Sequence, residues 1–119
     1  LIQPFPSKPG GGAGALVRSI RGSIDDPEVV GSGLFALCEL LRLQGKFAAQ
    51  WCKVADMLDC MVDIVWGHLY DHIDLRRRAL FLLTRVREAV PPMTETLASI
   101  WNARRKKYEE ALEEEQQLA

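Results

Sequence analysis

Residues 25–41 read DDPEVVGSGLFALCELL, and they read as a helix with its start written in front of it. Asp26 can accept from the amides that a first helical turn leaves unpaired, which suits it to the N-cap. Pro27 lacks a donor that the first helical position does not need. Glu28 puts negative charge where the helix dipole favours it. Val30, Leu34, Leu37 and Leu41 then recur at helical spacing and form one apolar stripe. Gly45 suits the C-terminal cap, so the helix is expected over about 27–43.

The same pattern extends outward in both directions. Leu16, Ile20 and Ile24 stand at i, i+4 and i+8 and predict a helix over about 13–23. On the other side, Phe47, Trp51, Val54, Leu58, Met61, Val65 and Leu69 mark a longer helix over about 46–70, which can break midway. Its polar stripe is narrow: Lys53, Asp56, Asp59 and Asp63. A helix apolar over most of its circumference is buried between neighbours, so this is the expected central helix. A fourth helix is predicted over about 74–89, with Leu75, Ala79, Leu82, Leu83 and Val86 inward, until Pro91-Pro92 stops it. A fifth starts near Pro92 or Met93 and runs to about residue 115 on Met93, Leu97, Ile100, Trp101, Tyr108 and Leu112. No segment alternates with period two, so the fold class is all-α. Residues 1–13, rich in proline and glycine, form an extended arm rather than a helix. The organisation expected is this arm, a helical domain over 14–103 and a charged helical extension over 104–119.

Residues 71–83 read DHIDLRRRALFLL and repeat the opening stretch at an offset of 46. Asp25, Leu34, Phe35 and Leu37 recur as Asp71, Leu80, Phe81 and Leu83, and Gly33 corresponds to Ala79. The period lies in the range of armadillo and HEAT repeats, roughly 40–47 residues. The text from Asp26 to Leu41, and again from Asp74 to Leu83, resembles the turn and last helix of those repeats. The resemblance covers about residues 15–106. It implies two stacked armadillo/HEAT-like units with a long C-terminal helix, and a close helix approach at Gly33 and Ala79. The second unit departs from the pattern, with Ile73 where proline is usual. Free-standing stacks of this kind normally need three or more units. Two units leave apolar ends that the fifth helix, the arm or another protein must cover.

Charge is laid out unevenly along the chain. The net charge is −1, yet residues 75–107 carry nine positive and two negative side chains, and residues 108–119 carry five glutamates and no base. Pairs such as Arg105–Glu109 at i, i+4 fit solvated helix faces. The sharper reading is a basic docking patch with an acidic tail beside it. On that reading the partner-binding residues are Arg76, Arg77, Arg78, Arg104 and Arg105, the arm residues Ile2 and Phe5, and the tail residues Tyr108 and Leu112. The function expected is a non-catalytic protein–protein interaction module, an accessory or scaffolding subunit among other protein subunits in a hetero-oligomer. The alternative is an adaptor that binds RNA or anionic lipid through the basic face of residues 76–107.

Chemistry is sparse. Cys38, Cys52 and Cys60 are spaced for neither a disulfide framework nor a C-x-x-C metal site, and they read as buried reduced thiols. That implies a reducing compartment such as cytosol, nucleus or an organelle matrix. The chain opens on Leu1, and a removed presequence would leave no trace, so mitochondrial import stays open. No apolar run is long enough to span a membrane. His68 and His72 share a face only if the third helix continues through Asp71, and no H-E-x-x-H pattern accompanies them. Asp56, Asp59 and Asp63 read as a solvated face. Gly10-Gly11-Gly12 lacks the Gly-Lys-Ser/Thr of a phosphate loop. No enzyme, cofactor or metal is expected.

Overall fold

The computed structural model describes residues 11–43, 57–67 and 69–118. Among them are five α-helices and no strand: α1 (Gly11–Gly22), α2 (Pro27–Leu43), α3 (Met57–Trp66), α4 (Ile73–Ala89) and α5 (Thr94–Leu118). A 3-10 turn, Pro91–Met93, joins α4 to α5. The arm residues Ile2 and Phe5, together with Gly45, Trp51, Cys52, Asp56 and His68, lie outside the described residues.

Local chemistry sets the helix ends where it is strong. Asp26 Oδ1 accepts from the Glu28 amide at 3.0 Å and from the Val29 amide at 3.4 Å, so α2 starts as its sequence requires. The third helix, expected to run to residue 70, ends at Trp66. The reason is Gly67: a Cβ placed there would stand 2.2 Å from the Asp63 carbonyl oxygen. The chain leaves the helix at the one residue that tolerates that approach and turns, with the Tyr70 amide donating to the Gly67 carbonyl at 3.0 Å. His72 therefore belongs to the turn before α4. The 3-10 turn fits Pro91-Pro92, whose missing donors fall where a helix start has no use for them.

The core is apolar throughout the described residues, with no polar or charged residue buried in it; Met57, Cys60 and Met61 bring sulfur among the hydrocarbon side chains. α3 is its centre: seven of its ten residues are buried, from Met57 to Val65, and it packs against α1, α4 and α5. α1 buries Ala13, Val17 and Ile20, with Leu16 and Ile24 on the flanks. α2 packs on α1 and α4. Its approach to α1 is close enough that a Cβ on Gly33 would stand 2.5 Å from Ile20 Cγ1. Complete burial of a leucine or isoleucine such as Ile20, Leu34 or Leu82 contributes about 1.5–3 kcal/mol each. α5 buries no residue fully; Met93, Leu97, Ile100 and Trp101 lie half-buried along the core.

α2 and α4, compared at the offset of 46, expose overlapping but unequal faces. α2 buries Val30, Gly33, Leu34, Leu37 and Leu41, while α4 buries Ala79, Leu82, Leu83 and Val86. Gly33 matches Ala79 and Leu37 matches Leu83, but Leu34 is fully buried where Leu80 is 37% exposed. The matched phenylalanines are both turned to solvent, Phe35 at 57% and Phe81 at 45%.

Candidate interaction surface

The exposed face of α2 and α4 gathers aromatic rings under arginines. The Arg78 guanidinium carbon lies 5.9 Å from the Phe35 ring centroid, and that of Arg85 lies 5.2 Å from the Phe81 centroid. Both are within cation–π range, so each phenylalanine is held in place on the surface by a cation. Arg42 pairs with Glu39 at 2.8 Å and Arg85 with Glu88 at 3.2 Å. Between the two helices runs a groove of about 630 Å³, with Cys38 and Leu41 on one wall and Phe81 and Ala89 on the other. Burial pushes the Cys38 thiol above its ordinary range, against the opposing pull of Arg78. It is therefore a poor nucleophile. A second groove of about 290 Å³ separates α4 from α5, lined by Leu80, Leu83, Leu97 and Trp101.

Several of the predicted binding residues take structural positions. Arg104 Nη2 donates to Asp59 Oδ1 at 2.9 Å, and Arg104 also bonds Asp63. Arg21 of α1 reaches the other oxygen of Asp63. The expected solvated stripe of α3 is thus a clamp on which α1 and α5 are seated. Arg76 Nε donates to the Val65 carbonyl at 3.0 Å, and its guanidinium lies 3.9 Å over the Tyr70 ring. Tyr108 stacks on Tyr70 with centroids 4.7 Å apart and touches Trp66, which meets Trp101 edge-on. Burial pushes the Tyr108 phenol up, with Tyr70 and Asp71 adding to the effect and Arg76 opposing it.

The remaining predicted residues face solvent. Arg77 and Arg78 are exposed on α4 and have no carboxylate partner among the described residues. Arg105 makes a loose surface pair with Glu109 at 3.9 Å, and Leu112 is exposed on α5. The structure adds Phe35, Phe81 and Arg85, which the charge pattern alone passed over. A signal for the rings was in the sequence: Phe35 and Phe81 are one of the four identities at the offset of 46.

Among the described residues there is no group of three His, Cys, Asp or Glu placed to hold a metal, and no helix is long and apolar enough to cross a membrane. No family model, curated protein or solved structure matches the chain. The face exposes two rings, Phe35 and Phe81, each beside an arginine.

Proposed function

We propose that the chain is a non-catalytic protein–protein interaction module, an accessory or scaffolding subunit that docks an acidic helical segment along the α2–α4 face. The observation that carries this reading is the pair Phe35 and Phe81, exposed at matching positions and each covered by an arginine. Burying a phenylalanine contributes about 1.5–3 kcal/mol, and aromatic rings beside arginine are the usual anchors of protein interfaces. Cations around the rings select carboxylates and repel basic segments. The phosphate-binding alternative has less support, because Arg76 and Arg104, two of the cations of its basic face, are bonded within the fold.

Fluorescence anisotropy with two synthetic amphipathic helices, one acidic and one basic on the polar face, tests the reading. The acidic helix is expected to bind and the basic one not. A Phe35→Ser/Phe81→Ser double variant should bind at least about tenfold more weakly. Equal binding of both helices, or an unaffected double variant, removes the reading. Tight, steeply salt-dependent binding of an RNA oligonucleotide or of phosphatidylserine vesicles would favour the alternative.

A further inference from the structure

The chain carries, at a separate place, a segment with the chemistry that the α2–α4 face calls for. The last turns of α5, residues 109–118, are exposed throughout. Glu110, Glu114 and Leu118 stand at i, i+4 and i+8 and share one stripe, with Leu118 at 88% exposure and Glu113 alongside. None of the described residues forms an ion pair with Glu110, Glu113 or Glu114. On α4, Arg77 and Arg78 are likewise exposed without a carboxylate partner among the described residues, close to Phe81. Three unpaired anions with a leucine on one helix thus answer two unpaired cations beside an exposed ring on another.

One molecule cannot join these two elements. α5 leaves the Pro91–Met93 turn and runs back along α4, with Trp101 beside Leu80 and Leu83 and Tyr108 stacked on Tyr70, just ahead of the start of α4. Residues 109–118 then continue past the start of α4 for about 15 Å at the helical rise. They point away from the face they complement.

We propose that the occupant of the α2–α4 face is the acidic end of α5 from a second copy of this chain. This rests on the docking reading above and names its partner. Because each copy presents a tail and a face at different places, the contact either closes as a reciprocal two-fold pair or runs head to tail from copy to copy. Two to three helical turns cover less than the roughly 800 Å² per partner of a standard interface, so the association is weak and concentration-dependent. Its charge pairs lie at the surface, so salt weakens it.

Sedimentation velocity on the whole chain, over a dilution series reaching about 1 mM, tests the proposal. At low salt the weight-average mass should rise toward about twice the monomer mass for a reciprocal pair or beyond it for a head-to-tail chain, and at about 0.5 M salt it should fall back. A tail variant, Glu110→Lys/Glu114→Lys, and a face variant, Arg77→Glu/Arg78→Glu, should each stay monomeric with unchanged helical circular dichroism. Combining all four substitutions in one chain restores the complementarity and should restore the mass increase. A mass independent of concentration in the wild type, self-association in either single-end variant, or a combined variant that stays monomeric overturns the proposal. If the chain stays monomeric but the synthetic acidic helix still binds the α2–α4 face, only self-docking falls. If neither associates, the docking reading falls with it.

Discussion

Asp63 of α3 and Arg104 of α5 are ion-paired across 41 residues of chain, and the same carboxylate also holds Arg21 of α1. Three helices therefore converge on one acidic side chain at the edge of the core. Both arginines remain about a third exposed, at 34% and 32%, so solvent screens part of the attraction. Replacing Asp63 with asparagine removes the carboxylate that Arg21 and Arg104 share, while Arg104 keeps Asp59. The expected loss is about 1–2 kcal/mol of unfolding free energy in urea titration. Arg104→Ala should lose a similar or smaller amount, because Arg21 still satisfies Asp63.

Gly33 and Gly31, two residues apart on α2, should respond in opposite ways to alanine. Helix propensity favours alanine over glycine by about 1 kcal/mol at either site. At Gly33 the new Cβ meets Ile20 Cγ1 at 2.5 Å, and Ile20 is fully buried with nowhere to move. Overpacking of that kind costs about 1–3 kcal/mol, so Gly33→Ala should be net destabilising. At Gly31 the nearest atom is the mobile end of Leu75 at 3.3 Å, so Gly31→Ala should be neutral or stabilising. Thermal unfolding of the two variants side by side checks both signs.

The α2 helix was legible because its start is chemical and local: Asp26, Pro27 and Glu28 act within one turn, and the observed Pro27–Leu43 agrees with the reading. The end of α3 was not. The apolar spacing continues through Leu69, which is buried although it sits in a turn, so hydrophobic period outlasts the helix. The backbone crowding at Gly67 that ends α3 leaves no trace in periodicity. The roles of Asp59, Asp63 and Arg104 were hidden for a different reason. Charges on a polar stripe look solvated until the fold brings a distant cation to them. The same applies to Arg76, which the basic run suggested was free and which lies over Tyr70 instead.

The Cys38 thiol should show its environment in its reactivity. Burial favours the neutral thiol, so its folded pKa lies above the ordinary value. Alkylation of Cys38 by iodoacetamide should be slower than that of a free thiol at mildly alkaline pH and should accelerate as pH climbs. Arg78 opposes the shift, so Arg78→Ala should slow the reaction further. The sign for stability follows: above the ordinary thiol range the unfolded chain ionises first, so the folded state loses this contribution as pH rises through the raised value. Peptide mapping by mass spectrometry measures the rate at Cys38 alone.

The exposed rings should matter little to folding. Phe35→Ser and Phe81→Ser remove side chains that are about half exposed, so each should lower stability by well under the 3–5 kcal/mol typical of a core phenylalanine. Denaturant midpoints near wild type, alongside weakened binding of the acidic helix, would separate association from folding.

An interior built of apolar side chains has little directional preference of its own. Leucine slides past valine with little penalty, so such a centre tolerates many equal-volume rearrangements of its helices. Here the address of each helix is written at the margin, where one carboxylate takes one guanidinium from either side. Neutralising that carboxylate should therefore loosen uniqueness as well as stability, broadening the amide spectrum of the folded state while its helical content stays the same.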